Sequence, residues 1–193
     1  MERPNRAQSR PIAKARRAFI EEFMPGFLST YAVISGGAEH VGLELTTHVS
    51  EDAMEIEARM LAAQDEDRRL RRTTVGVHKD DVVFTLGDHA MKRFGSQGQQ
   101  KSFLVALRLA QLAFIEQATG VKPILLLDDI FDKIDEKRVE ALMKRVTNGT
   151  FGQVFITDTH LGRIPDMFAA TGADVRVFEV RQGEVVPQIK EEA

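Results

Sequence analysis

A short apolar run in the second half of the chain, residues 124–127 (Ile-Leu-Leu-Leu), limits the possible folds most strongly. The run is closed at once by two acids, Asp128 and Asp129. Such a run is typical of a central strand in a parallel sheet, which is covered on both faces. Helical and apolar strand patterns alternate from residue 99 onward. This alternation predicts an α/β fold with a parallel sheet and flanking helices.

The other elements of this region can be placed from spacing and turn residues. A pattern that is apolar nearly all round predicts a buried helix over 99–119, which Gly120 ends. After the apolar run, the sequence predicts a helix over 136–146, a strand over 153–157, a helix over 163–170, and a strand pair over 175–186 that turns at Gln182-Gly183.

The first half of the chain is mixed and mainly helical. The sequence predicts a frayed polar start over 1–11, a helix over 12–28 that Pro25-Gly26 should break or kink, a turn at 35–37, a strand over 41–49, a charged helix over 52–72 and a hairpin over 81–93. We therefore divide the chain into a helical and mixed subdomain with a terminal hairpin, 1–95, and an α/β portion, 96–193.

Composition and charge exclude several classes of protein. The chain has no cysteine, so it has neither a disulfide framework nor a thiolate metal site. No apolar run reaches membrane-spanning length and the N-terminus lacks a secretory apolar core, which predicts a cytoplasmic protein. The net charge is −3, but basic residues gather in segments 1–20 and 68–72. Either cluster can meet phosphates or can be a solvated helix face.

The segment Ser96-Gln97-Gly98-Gln99 stands at the start of the predicted buried helix. Unpaired backbone N–H groups and the positive end of the helix dipole make this a place for an anion. Ser96 can donate a hydroxyl hydrogen bond, and Gly98 lets a bulky anion approach the backbone. A simpler interpretation stays open, in which Ser96 caps the helix and Gly98 serves a turn.

Asp128 and Asp129 lie at the predicted carboxyl end of the apolar strand, the edge at which ligands of open α/β sheets bind. Asp128 suits Mg²⁺, which prefers a few carboxylate oxygens together with phosphates. Asp129 suits a group that orients or deprotonates an attacking water. The alternative is a pair of solvated acids at the end of a strand.

Further polar residues follow the predicted strands. Asp135 can cap the next helix or line a site. Residues 157–160, Thr-Asp-Thr-His, end the next apolar strand, where such a group could sense a terminal phosphate. A satisfied loop histidine accounts for His160 equally well.

In this order and spacing, these segments resemble the C-terminal half of RecF, a family of bacterial recombination-repair ATPases related to ABC-type and SMC-type heads. The resemblance rests on FGSQGQQKSFLVALRLAQ as signature motif and helix, and on ILLLDDIFDKID as Walker B strand and D-loop. TTVGVHKDDVVFTL and FIEEFMPGFLSTYAVISGG also fit. The HKDD stretch, residues 78–81, has no role that its chemistry assigns, and a turn before a hairpin is its simpler interpretation.

The resemblance implies a role for each motif. The signature residues 96–99 would grip the γ-phosphate of an ATP held by a partner subunit across a dimer. Asp128 would be the Mg²⁺ carboxylate, and Asp129 stands where many relatives carry the catalytic glutamate. Two further roles carry over: Asp135 on the D-loop at the dimer contact, and Thr159 or His160 at the switch. The implied fold is the C-terminal part of an ABC-type ATPase head with a mostly helical signature-side subdomain.

The chain departs from the family in one large respect. It contains no G-x-x-x-x-G-K-[ST] segment, the P-loop whose amides and lysine cradle phosphates. RecF proteins place that loop near the start of a longer chain. We therefore expect this chain to lack the ATP-binding half, to hold neither ATP nor Mg²⁺ alone, and to act as an ATPase only within the full-length protein. We also expect exposed apolar surface where sheet strands are missing.

The function implied by the resemblance is DNA replication, recombinational repair and the SOS response. The whole protein would be an ATP-dependent homodimeric clamp on double-stranded or gapped DNA that aids RecA loading with RecO and RecR. Two alternatives stay open. One is a non-enzymatic module that binds DNA or a partner without ATP turnover. The other is a Mg²⁺-dependent phosphotransferase or nuclease that uses Asp128, Asp129 and Asp158.

Overall fold

The chain begins with one long helix, α1 (Arg6–Ser35). The computed structural model describes residues 6–47, 49–50, 53–160, 168 and 172–187. The prediction of a frayed start is wrong, because the chain is already helical from Arg6. Of the predicted break or kink at Pro25-Gly26, the break is wrong, since the helix continues to Ser35. The predicted turn after the helix is confirmed, since Gly36 and Gly37 follow it with positive φ angles of 73° and 76°.

Burial explains why α1 tolerates an internal proline. Its buried apolar side chains recur every three or four positions: Phe23, Phe27, Tyr31 and Ile34. Burying a large apolar side chain contributes ~1.5–3 kcal/mol. Four such contributions exceed the ~3 kcal/mol that a proline costs inside a helix. The tertiary contacts of α1 therefore override the local signal of Pro25-Gly26.

A three-stranded antiparallel sheet packs beside α1. It contains β1 (Val41–Thr46), β2 (Asp81–Leu86) and β3 (His89–Ala90), paired in the order β1-β2-β3. The segment between β1 and β2 contains α2 (Ala53–Ala62), α3 (Gln64–Leu70) and a 3₁₀ turn, Val77–Lys79. The single charged helix predicted over 52–72 is thus two helices.

The second arm of the predicted hairpin is mostly not a strand. After the two residues of β3, the chain forms a short helix, α4 (Met91–Phe94). Met91 is buried there, which anchors the turn that leads into the next element. The hairpin predicted over 81–93 is therefore confirmed only as far as Ala90, because burial of Met91 outweighs strand propensity in the residues that follow.

The helix predicted over 99–119 is confirmed as α5 (Gln97–Thr119), but it is buried on one face rather than nearly all round. It ends at Gly120 in the left-handed conformation, with φ 71°. Its inner face packs on α1 through aromatic rings, and Phe27 and Phe103 meet edge to face with centroids 4.9 Å apart. Leu104 and Ile115 on other faces remain exposed.

The parallel strand pair is also confirmed. β4 (Leu125–Leu127) pairs with β5 (Val154–Ile156) in parallel, and α6 (Glu136–Thr147) lies between them in sequence. The prediction that β4 is buried on both faces is wrong, since Leu126 is 71% exposed and Ile124, just before the strand, is 57% exposed. Within the described residues this sheet has two strands only, so one face of β4 is uncovered.

The last described element is a hairpin of β6 (Phe178–Arg181) and β7 (Glu184–Pro187), which turns at Gln182-Gly183 as predicted. The helix predicted over 163–170 lies outside the described residues except for Phe168. Neither α1, α5 nor any other helix in the described part of the chain has a stretch long and apolar enough to cross a membrane.

Candidate functional site

The parallel register of β4 and β5 places two polar residues side by side. Leu127 pairs with Ile156, so Asp128 and Thr157 leave the sheet at the same edge. The Thr157 hydroxyl donates a hydrogen bond to the Asp128 carboxylate. The same hydroxyl oxygen accepts the backbone N–H of Asp129 at 3.2 Å. One threonine therefore orients both predicted site acids.

Asp128 and Asp129 are exposed at this edge, as a nucleotide or metal site requires. Among the described residues, no three His, Asp or Glu side chains form a group that could hold a metal ion. Asp128 supplies one carboxylate, which fits a Mg²⁺ whose other ligands are water and phosphate oxygens. The alternative three-acid site is not assembled, since Asp158 is 3% exposed and contacts His160.

The start of α5 is a complete capping box. The Ser96 hydroxyl accepts the Gln99 N–H at 3.2 Å, and the Gln99 side-chain oxygen accepts the Ser96 N–H at 2.8 Å. The simpler interpretation of Ser96 as a cap is therefore correct for the chain alone. The cap still leaves the N–H groups of Gln97 and Gly98, which no preceding turn of helix can pair. The Ser96 hydroxyl also keeps its own hydrogen for donation.

Gly98 faces the loop that follows β4. A Cβ atom built on Gly98 would lie 3.0 Å from the carbonyl oxygen of Lys133. Close approach of two backbone segments thus favours glycine at this position. The first turn of α5 and the loop 128–135 are therefore in contact at Gly98 and Lys133.

Glu39, in the segment between α1 and β1, links the start of α5 to α1 and α6 through hydrogen bonds. Its carboxylate accepts hydrogen bonds from Gln99 Nε2 at 2.9 Å, from Arg138 Nη2 at 2.6 Å and from the Tyr31 hydroxyl. Glu39 and Arg138 are only 16% and 15% exposed at their side chains. We call Glu39, Tyr31, Gln99 and Arg138 the Glu39 hub.

The hub shifts the pKa values of its members. Burial has the largest effect on Glu39 and by itself would raise the pKa, but hydrogen bonds from Arg138, Tyr31 and Gln99 outweigh it and lower the pKa of Glu39 below its ordinary value. Burial, followed by the hydrogen bond to Glu39, raises the pKa of Tyr31 to about 12. The hub is therefore a carboxylate, a guanidinium and a neutral phenol at neutral pH.

Asp135 connects the hub to the predicted D-loop. It caps α6 by accepting the Arg138 N–H at 3.1 Å, and its second carboxylate oxygen pairs with Arg138 Nε at 2.9 Å. The capping interpretation is thus confirmed. Contact with another subunit stays a prediction for Asp135.

Thr159 and His160, the predicted switch residues, are exposed beyond the end of β5. The His160 N–H donates to the Asp158 carboxylate at 3.1 Å, which forms a tight turn. A His160 ring nitrogen, Nδ1, lies 3.3 Å from the same oxygen and 3.4 Å from the Thr159 hydroxyl. The turn presents both side chains at the edge where Asp128 lies, and their phosphate-sensing role stays a prediction.

The HKDD stretch has a structural role at Asp80. This carboxylate is 1% exposed and accepts Arg16 Nη1 at 2.8 Å and the Thr47 hydroxyl at 2.8 Å. It therefore ties α1 to the ends of β1 and β2. Arg16, one member of the N-terminal basic cluster, is therefore engaged in an ion pair within the chain.

Sequence reasoning did not find three of these residues: Tyr31, Glu39 and Arg138. It included Thr157 in the polar group 157–160 but did not find its hydrogen bond to Asp128, although Thr157 occupies the position after β5 that Asp128 occupies after β4. Glu39 had none, because its partners Gln99 and Arg138 are 60 and 99 residues away in the sequence.

We expect Glu39→Gln to destabilise the chain by ~1–3 kcal/mol, because it removes one of the two carboxylates, those of Glu39 and Asp135, that pair with the largely buried Arg138 guanidinium. Urea unfolding followed by circular dichroism measures this.

The lowered pKa of Glu39 means that its contribution to the stability of the folded chain is present above the ordinary glutamate pKa of ~4.3 and is lost as pH falls below it. Glu140→Gln, which removes an exposed pair with Lys144, should leave stability unchanged.

The chain's single tyrosine and its lack of tryptophan give the hub a direct optical readout. Tyrosinate absorbance should titrate with a midpoint of about 12 in the folded chain and near ~10 in urea. Because the folded pKa is the higher one, the stability that it reflects is present below pH ~10 and is lost as pH rises further. A folded-state midpoint near ~10 would contradict the hub geometry.

The chain is similar to known proteins in both sequence and fold. No family model matches the chain. It is 42% identical over 176 residues to the DNA replication and repair protein RecF of Parabacteroides distasonis, which covers 91% of the chain and 48% of that protein. It is 44% identical over 169 residues to RecF of Flavobacterium johnsoniae, which covers 88% of the chain and 46% of that protein. The chain spans about half the length of the curated relatives it matches.

Solved structures show the same fold. A structure of the recombination mediator RecF with ATP, from the RecFOR pathway, matches 95% of the chain and 48% of its own length, with a TM-score of 0.71 and 20% identity. An SMC ATPase structure, from work on ATP-driven dimerisation and DNA-stimulated activation, covers 92% of the chain with a TM-score of 0.51 and 15% identity. The fold is that of part of an ABC/SMC-type ATPase head.

Proposed function

We propose that this chain, which corresponds to the C-terminal part of RecF, supplies the signature and Walker B half of an ATP-dependent clamp on DNA. The observation that supports this most strongly is the contact between the first turn of α5 and loop 128–135. It brings Gly98, in the first turn of α5, against Lys133 of the loop that follows Asp128 and Asp129. This contact would connect the turn that meets the partner subunit's ATP to the loop that meets the subunit's own ATP.

In the proposed dimer, each of the candidate site residues has one task. Ser96 donates its hydroxyl, and Gln97 and Gly98 donate backbone N–H groups, to the γ-phosphate of the partner subunit's ATP. Gln99 positions this turn, because its side chain is bonded to Ser96 and Glu39. Asp128, oriented by Thr157, would hold Mg²⁺.

The remaining tasks concern ATP hydrolysis, sensing of the terminal phosphate and contact with the other subunit. A Mg²⁺ ion held by Asp128 would supply positive charge that offsets the negative charge on the transferred phosphate. Asp129 orients the attacking water or accepts its proton. Thr159 and His160 sense whether the terminal phosphate is present, and Asp135 contacts the other subunit through the D-loop.

The exposed face of β4 and β5 fits a missing part of the head. Ile124, Leu126 and Phe155 are each more than half exposed, and they form an apolar surface on one sheet. Monomeric proteins rarely leave such surfaces uncovered. We propose that strands of the P-loop half extend and cover this sheet, so that the complete nucleotide site forms only when both halves are present.

DNA would be held mainly through its phosphates. Arg10, Lys14 and Arg17 follow one another at helical spacing on α1 and line a groove of about 630 Å³ with Val49 and Ser50. A basic stripe of this kind favours salt-dependent binding with little sequence preference. With RecO and RecR as partners, a clamp at gaps or junctions would aid RecA loading on the bacterial nucleoid.

The test uses a chimera in which this chain replaces the matching part of Parabacteroides distasonis RecF, behind that protein's P-loop half. Calorimetry with ATP and Mg²⁺ should show no binding to the chain alone and micromolar binding to the chimera. Light scattering should show an ATP-dependent dimer that retains gapped DNA. Micromolar binding to the chain alone would reveal a phosphate cradle within it and contradict the half-site. A chimera that binds DNA without dimerising or turning over ATP would favour the non-enzymatic module.

A further inference from the structure

Lys101, in the second turn of α5, reaches across to the loop after β4. Its Nζ donates to the carbonyl oxygen of Asp129 at 2.6 Å and to that of Asp132 at 2.9 Å. Both acceptors are backbone atoms, so this is no ordinary ion pair between side chains. An ammonium group that bridges two carbonyls fixes the path of the backbone between them.

The loop needs such an anchor. Asp129 and Lys133 both have positive φ angles, 46° and 64°, which non-glycine residues adopt at a cost of ~1–2 kcal/mol each. Strained residues keep such conformations only when their surroundings hold them. Asp129 is held on both sides, because its N–H donates to Thr157 and its carbonyl accepts from Lys101.

We propose that Lys101 is a positioning residue that sets the direction of the Asp129 side chain. It also links two nucleotide sites, an inference that rests on the proposed function. The first turns of α5 serve the ATP of the partner subunit, whereas Asp129 serves the ATP of its own subunit. Movement of α5 upon nucleotide capture is therefore transmitted through Lys101 to the acid at the other site of the dimer.

The first experiment needs no nucleotide. Hydrogen exchange of amides 129–133 is compared in the chain itself, in Lys101→Met and in Lys92→Met, the same change at an exposed lysine of α4. Loss of the bridge should speed exchange of these amides about tenfold, while the centre of α5 and the Lys92→Met chain stay as before. Unchanged protection of 129–133 in Lys101→Met would overturn the proposal.

The second experiment separates this inference from the proposed function. In the chimera, Lys101→Met should lower kcat about tenfold with KM for ATP within about twofold and with the ATP-dependent dimer intact. The rate should also depend less steeply on ATP concentration, because the two sites are uncoupled. If the unsubstituted chimera fails to dimerise, the proposed function fails. If it dimerises and hydrolyses ATP but Lys101→Met behaves identically, only the positioning role fails.

Discussion

In the chimera, Ser96→Arg should abolish ATP-dependent dimerisation while ATP binding stays within about twofold of the unsubstituted protein. Ser96 is the exposed N-cap residue of α5, where the γ-phosphate of the partner subunit's ATP is proposed to lie. A guanidinium there fills the phosphate position and places positive charge at the positive end of the helix dipole. ATP bound by the chimera's own P-loop half is not touched. Light scattering measures the dimer, and calorimetry measures the binding.

A second substitution separates the trans contact from loss of the cap. Aspartate caps helices as well as serine does, so Ser96→Asp keeps α5 folded and its stability unchanged. Its carboxylate nevertheless repels a triphosphate, and dimerisation should be lost again. Ser29→Arg, at an exposed position on α1, serves as the control for an added arginine. A Ser96→Asp chimera that dimerises normally would show that Ser96 acts only as a cap.

Asp129→Asn should slow ATP hydrolysis by about 10²-fold or more and preserve the ATP-bound dimer. The amide can still fill the position but can neither accept a proton nor attract the water as strongly. Asparagine also tolerates positive φ angles, so the strained backbone at 46° is retained. Single-turnover hydrolysis and light scattering measure the two effects.

Asp132→Asn is the matched control for Asp129→Asn, because Asp132 is an exposed acid in the same loop. It should leave turnover unchanged. If Asp129→Asn turns over ATP at the normal rate, another group must orient the water. His160 would then be the next candidate, because it lies on the turn after β5.

The elements that bear the site could be predicted because their signals are local. The apolar run before Asp128, the run before Thr157 and the small polar residues before α5 each specify one element and its end. Once strands β4 and β5 are known to be parallel, their carboxyl ends must share an edge. The pairing of Asp128 with Thr157 follows from that register.

Other features could not be predicted because distant parts of the chain decide them. Pro25 normally ends a helix, yet α5 buries one face of α1 and keeps it continuous. Nothing in the local sequence distinguishes Glu39 from other loop acids, because its partners Arg138 and Gln99 are brought to it only by the fold. The exposure of one face of β4 could not be predicted for a different reason. The apolar pattern of β4 is typical of a sheet with more strands than the described residues contain.

The Glu39 hub also bears on the order in which the chain folds. Its ion pair joins residues 99 positions apart, and closing a loop of that length carries an entropic cost that grows with loop length. Contacts of such large separation form late, after local helices and hairpins are in place. The signature turn is thus completed only when α1, α5 and α6 have all docked. Under the proposed function, a chain that has not completed this docking would lack a finished contact for another subunit's nucleotide.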